Sequence, residues 1–79
     1  MTKKQADKLA AKINQQIAEK GNVYDIYSSC IYDCAFPILI DKEYRIIMRR
    51  HDTMVGDYRL VPLTWLRFSL GKEIDLAME

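Results

Sequence analysis

The sequence contains no uninterrupted apolar run of the roughly 18 to 20 residues that are needed to cross a lipid bilayer. Its longest apolar run, residues 35–40, contains Pro37 and suits a buried strand. The basic start at Lys3 and Lys4 is followed by further charged residues, so no secretory signal peptide is predicted. We therefore expect one domain, residues 1–79, that is cytoplasmic and makes no membrane contact.

Cysteine is scarce, and the two that occur are Cys30 and Cys34. Without a secretory signal, two reduced thiols are expected rather than a structural disulfide. A zinc site needs four ligands, and here only His51, with Asp33 or Asp52, could complete one. We therefore expect neither a metal ion nor another cofactor.

Catalytic patterns are also lacking. Cys34, His51 and Asp52 have the side chains of a catalytic triad, but adjacent residues of an extended chain point apart. Asp52 is therefore badly placed to orient its neighbour His51. The glycines stand alone, so none belongs to a phosphate-binding loop; they are Gly21, Gly56 and Gly71. We predict that the protein is not an enzyme.

Charge is nearly balanced, with a formal net charge of +1, but it is segregated along the chain. Residues 1–20 contain five lysines, residues 21–41 contain three aspartates and no basic residue, and residues 42–72 contain seven basic residues. Such blocks can create basic and acidic surfaces that meet different partners. The overall balance is far from the strongly basic charge of a dedicated nucleic-acid binder.

The clearest element is a helix over residues 3–20. Thr2 can cap its start, and Gly21 stands where a left-handed residue ends many helices. Apolar residues recur at three- and four-residue steps along one face; they are Ala6, Leu9, Ala10, Ile13 and Ile17.

Residues 22–34 fit both a helical stripe and a strand. We prefer a strand, because Val, Tyr, Ile and Cys are strand formers or poor helix formers. A hairpin follows, with alternating residues on each side of a three-residue loop at 41–43. Keeping the even-numbered residues on one face pairs 40 with 44, 38 with 46 and 36 with 48. Pro37 indicates a free strand edge nearby or a bulge.

A further strand is predicted at 57–61, and Pro62 would stop it. A short helix would then carry Trp65 into the core and end at Gly71. The predicted class is therefore α+β, with an N-terminal helix packed on a small three- to four-stranded antiparallel sheet and a short C-terminal helix.

Both faces of this sheet are apolar, which is unusual for an antiparallel sheet with one wet face. Either the two helices cover one face each, which we prefer, or the second face packs on another copy or a target. That second face carries the candidate interface, because arginine and tyrosine on a half-apolar surface are typical of interfaces; its residues are Tyr27, Arg45, Ile47, Arg49 and Arg50. An alternative site is a basic ridge on the first helix, formed by Lys4, Lys8 and Lys12.

These features predict a non-enzymatic protein-binding module that occludes or bridges a larger protein partner. Inhibitors and accessory proteins, including those of mobile genetic elements, often have this profile. Homodimerisation is an additional expectation for the apolar second face. The alternative function is a nucleic-acid-binding regulator that places the basic ridge or the arginines on phosphates.

Overall fold

The computed structural model describes residues 1–53 and 55–77, which form one helix and one five-stranded sheet. The helix is α1 (Lys3–Lys20), and the strands are β1 (Val23–Asp25), β2 (Ile31–Ile40), β3 (Glu43–Arg50), β4 (Tyr58–Arg59) and β5 (Leu66–Phe68). Their order in the sheet is β4-β3-β2-β1-β5, and every neighbouring pair is antiparallel. The α+β class is confirmed, but the sheet has five strands rather than three to four.

Helix α1 begins and ends where the sequence predicts. Thr2 Oγ1 accepts a hydrogen bond from the Gln5 backbone N–H at 3.2 Å, and Gln5 Oε1 accepts one from the Thr2 N–H at 2.9 Å. This reciprocal capping box satisfies two N–H groups at the helix start. At the other end Gly21 has φ 93°, a conformation that glycine adopts without steric cost. All five residues of the predicted apolar stripe are buried.

The β2–β3 hairpin differs from the predicted register by one residue. Its loop is the two-residue turn Asp41–Lys42, in which both residues have positive φ (50° and 65°). Such turns match the natural twist of paired strands. The observed partners are Ile40 and Glu43, Ile38 and Arg45, and Phe36 and Ile47. The prediction that the even-numbered residues of both strands share a face is therefore wrong.

Residues 22–34 form two strand segments rather than one continuous strand. β1 ends at Asp25, a turn follows, and β2 begins at Ile31. Asp33 is the extra residue of a bulge, because Tyr32 lies opposite Arg50 and Cys34 lies opposite Arg49. This bulge turns both Tyr32 and Ala35 towards the core, although their spacing does not fit a regular strand.

The predicted C-terminal helix is wrong. A 3₁₀ turn (Leu63–Trp65) is followed at once by β5, which pairs with β1 at one edge of the sheet. Successive strand residues point to opposite faces, so Leu66 and Phe68 are buried while Arg67 between them is only partly so. Trp65, which was expected in the core, is 40% exposed.

The core lies between α1 and one face of the sheet. Its sheet side includes Ala35, Ile46 and Met48, and Val61 and Ile74 complete it from outside the strands. Within residues 1–53 and 55–77, no helix lies against the other face of the sheet. The short C-terminal helix that was expected to cover this second face does not form among these residues, because the Trp65 segment leads into β5 and extends the sheet instead.

Pro37 lies on a free edge, as its presence predicts. β1 pairs with β2 only at Ile31 and Tyr32, so no strand of residues 1–53 and 55–77 lies on that side of the rest of β2. The Asn14 side chain takes the place of a strand there: it donates to the Ala35 carbonyl at 2.9 Å and accepts from the Ala35 N–H at 2.6 Å. Pro37 has no N–H to leave unpaired. The edge is therefore protected at Ala35 and Pro37 against pairing with another strand.

Candidate interaction surface

Three of the predicted site residues, Arg45, Ile47 and Arg49, share the sheet face opposite α1. Antiparallel partners that lie opposite one another have their side chains on the same face. Since Ile46 and Met48 face the core, the alternating residues of β3 lie on the other side, next to their partners on β2 and β4. We call this surface the open face; it comprises Cys34, Phe36, Ile38, Ile40, Glu43, Arg45, Ile47, Arg49 and Tyr58.

Aromatic contacts organise the β4 side of the open face. The rings of Phe36 and Tyr58 meet edge to face, with centroids 5.7 Å apart and an interplanar angle of 71°. The Arg49 guanidinium lies 5.6 Å from the centroid of the Phe36 ring, which is within the range of a cation–π contact. Three side chains from three strands thus form one packed, partly exposed group.

Asp33 adds a charged cluster to the same region. Its carboxylate accepts a hydrogen bond from Arg49 Nε at 3.0 Å and lies 3.2 Å from His51 Nδ1. Partial burial alone would raise the pKa of Asp33, but the hydrogen bonds from Arg49 and His51 outweigh that effect and hold the pKa below its ordinary value. The positive charge of Arg49 is therefore compensated within the chain.

Arg50 lies apart from the open face, because it follows Arg49 and points to the opposite side of β3. It forms ion pairs with Asp52 at 3.1 Å and Asp57 at 3.4 Å. Arg59 shares the Asp57 carboxylate at 3.3 Å. The hydrogen bond to Asp52 raises the pKa of Arg50. Of the three predicted arginines, Arg45 alone is exposed with no ion pair among the described residues.

Tyr27 does not lie on a strand. It belongs to the turn between β1 and β2, where it is 72% exposed and packs edge to face on Trp65 at 4.7 Å. The Ile26 N–H donates to the Trp65 carbonyl at 3.1 Å, which fixes the turn to the start of β5. Trp65 was predicted to lie in the core, and its place on the surface differs from that prediction. The alternation of Leu66 and Phe68 is the signal that could have indicated a strand there.

The lysine ridge of α1 is partly occupied by contacts with the chain itself. Lys12 pairs with Asp75 at 3.4 Å and also donates to the Ala77 carbonyl. The hydrogen bond from the Ala77 N–H lowers the pKa of Asp75, and the positive charge of Lys12 lowers it further. Lys8 is likewise not free, and Lys4 is exposed. The ridge is therefore not a row of three free cations.

The two cysteines have different surroundings. Cys30 packs against the core, whereas Cys34 lies opposite Arg49 on the other face; neither forms a disulfide. Among the described residues, no three His, Cys, Asp or Glu side chains are grouped in a way that could hold a metal ion. The structure also has, over those same residues, no helix with the length and apolar character needed to span a bilayer.

No protein-family model, no curated protein and no solved structure matches this chain.

Proposed function

We propose that the chain is a non-enzymatic protein-binding module that uses the open face to occlude or bridge a larger protein, as inhibitors and accessory proteins do. The single observation that supports this most is that half-buried isoleucine and aromatic side chains cover a sheet face on which no described helix packs. Water in contact with such a surface favours its burial against a partner. We place this activity in the cytoplasm, where the two free cysteines would stay reduced.

The dimensions of the chain are compatible with this function. An interface of ordinary size takes about 800 Å² from each partner. The accessible surface of the protein is 5352 Å², so such an interface would cover roughly one seventh of it.

The ion pairs weigh against phosphate binding at the arginine group. Arg49 and Arg50 already bind Asp33, Asp52 and Asp57. Binding to nucleic acid gains most of its affinity from lysine and arginine side chains that neutralise phosphates. Each of these two arginines would have to exchange a carboxylate for a phosphate, which cancels much of that gain. The protein-binding function is therefore favoured over the nucleic-acid-binding one.

The test is capture of the partner from host-cell lysate with wild-type protein, with Ile47→Asp and with Leu70→Asp, each with and without nuclease. Leu70 is 83% exposed and lies in the turn after β5, away from the open face, so it is a control for the same kind of substitution. We expect wild-type protein and Leu70→Asp to retain one stoichiometric protein after nuclease treatment. Ile47→Asp should lose it, because an unpaired carboxylate at a buried interface is costly.

Retention of that protein by Ile47→Asp would contradict the proposal, and loss of every partner on nuclease treatment would support the nucleic-acid function instead. Circular dichroism establishes that each variant is folded. If Ile47→Asp does not fold, Tyr58→Asp replaces it, because Tyr58 lies on the open face and is 49% exposed, so its substitution leaves the core unchanged.

A further inference from the structure

The outer edge of β3 is covered along only part of its length. β4 pairs with Met48 and Arg49, and the Arg50 N–H donates to the Asp57 carbonyl at 2.8 Å. Beyond Met48, towards the start of β3, no strand of the described chain lies on this side. The first half of β3 therefore has a neighbour, β2, on one side only.

The direction of the backbone groups along this edge follows from two hydrogen bonds. The Arg50 N–H points towards β4, and the His51 N–H points towards β2, where it donates to the Ile31 carbonyl at 2.9 Å. Backbone groups alternate in direction along a strand, so those of Tyr44 and Ile46 point the same way as those of Arg50. Neither residue forms a backbone hydrogen bond with the segment 60–63 that runs nearby.

A groove of about 200 Å³ lies along this free stretch. One wall is β3, with Tyr44 and Ile46. The other wall is apolar and is formed by Leu60, Val61, Pro62 and Leu63. Met1 also lines the groove, and its ammonium group forms an ion pair with Glu43 at 3.8 Å, which compensates the carboxylate nearest Arg45 in the sequence. Since Pro62 has no N–H, that wall has one donor fewer with which to pair β3. The groove thus combines free backbone donors and acceptors on one side with an apolar wall on the other.

Arg45 lies between Tyr44 and Ile46 and points the opposite way, onto the open face. It is exposed and has no ion pair among the described residues. In a strand added beside β3, the residue opposite Arg45 would share that face, where opposite charges attract. The residues on either side of it would point into the apolar groove.

We propose that the free edge of β3 binds an extended segment of a partner protein by strand addition, and that this segment has the pattern apolar–acidic–apolar. Backbone hydrogen bonds to Tyr44 and Ile46 provide affinity, and the groove and Arg45 select the side chains. This site goes beyond the proposed function, because it is an edge rather than a face, and it does not depend on Ile47.

The direct test is a nuclear magnetic resonance titration of the ¹⁵N-labelled full chain with the capped peptide Thr-Val-Glu-Val-Thr, up to about 1 mM, where even weak complexes are populated. We expect shift changes at residues 43–46 and 60–63. Hydrogen exchange at the Tyr44 and Ile46 amides should slow, because both N–H groups become hydrogen bonded. The same peptide with both valines N-methylated lacks the donors that pair with these residues and should not bind.

A charge exchange tests the role of Arg45. The peptide Thr-Val-Lys-Val-Thr should bind wild-type protein about fivefold more weakly than the Glu peptide, which is the scale of a cross-strand charge contact. Arg45→Glu should reverse the preference. Lys42→Glu, which makes the same charge change in the turn outside the groove, should leave the preference unchanged.

Several outcomes would overturn the proposal: no shift changes at about 1 mM peptide, shift changes confined to Phe36 and Ile47, or equal binding of the N-methylated peptide. Shift changes at Tyr44 and Ile46 that appear on raising the protein concentration alone would identify a second copy as the occupant instead. Ile47→Asn, which removes the apolar side chain of the open face without adding a charge beside Arg45, should bind the Glu peptide as wild-type protein does. Failure at the edge is therefore distinguishable from failure of the open face.

Discussion

At the residue scale, Asp33 connects the bulge of β2 with the end of β3. As the extra residue of the bulge, it has no partner directly opposite it on β3. Its carboxylate is therefore free to receive Arg49 from the side and to approach His51 beyond the strand end. The bulge thus directs one side chain onto two others that a regular ladder would place elsewhere.

This contact predicts an acid dependence of stability. The pKa of Asp33 is lower in the folded protein than its ordinary value of 3.8, so the ionised carboxylate stabilises the folded state above that pH. The contribution is lost as pH falls through the lower, folded-state pKa. Asp33→Asn should therefore reduce the free energy of unfolding at about pH 6 and have a smaller effect at about pH 3. Urea denaturation of the wild-type protein and the variant at a series of pH values measures the effect of the substitution at each pH.

The matched control is Asp7→Asn, since Asp7 is exposed on α1 and forms no ion pair among the described residues. It should change the free energy of unfolding equally little at both pH values. A deficit of Asp33→Asn that persists undiminished at low pH would show that the Asp33 side chain supports the bulge by means other than its charge.

Single residues were the least predictable level of the molecule. Trp65 was expected in the core because of its size, yet the next residue, Leu66, is the buried one, at 1% exposure. Neighbouring residues of a strand point to opposite faces. Predicting a helix where the chain forms a strand therefore predicts the wrong residue of each such pair to be buried. Arg45, Ile47 and Arg49 kept their common face because alternation within β3 does not depend on the register of the hairpin.

At the element scale, α1 was predictable because its signals are local. The capping residues and the apolar stripe lie within one continuous segment, and both indicate the same bounds. The hairpin register was not predictable, because it depends on a turn in which a lysine adopts positive φ. Glycine and asparagine usually occupy such positive-φ turn positions, whereas Lys42 is a lysine. The sequence therefore favoured the three-residue loop at 41–43 over the observed two-residue turn.

Lys42 therefore offers a prediction at this scale. Lys42→Gly should raise the free energy of unfolding by about 0.5–1 kcal/mol, because glycine adopts positive φ without the steric cost that a side chain incurs. Thermal and urea denaturation measure the change. Lys72→Gly is the control, since Lys72 does not have positive φ and gains only backbone flexibility. A Lys42→Gly variant that is no more stable than Lys72→Gly would contradict the assigned turn.

At the scale of the whole molecule, the charge blocks of the sequence fold onto one another. Asp33, from the block without basic residues, binds Arg49 from the basic block, and Asp75 near the C-terminus binds Lys12 on α1. The segregation along the chain suggested separate acidic and basic surfaces. Instead, tertiary pairing neutralises much of it locally, and pairing between distant segments cannot be read from a single sequence. The open face is left with a mainly apolar character as a result.

The two layers of the molecule are joined by amide side chains of α1, and this gives a prediction for the whole fold. Asn14 satisfies both backbone groups of Ala35, a residue that is 1% exposed. In Asn14→Ala these groups lose their partner in a place that water reaches poorly, so the free energy of unfolding should fall by about 1–3 kcal/mol. Hydrogen exchange at the Ala35 amide should accelerate at the same time. Gln15→Ala, the control, removes only an exposed contact to Glu19 and should change neither measurement. Equal stability of the two variants would contradict this role of Asn14 and would mean that water satisfies the backbone groups of Ala35 in its place.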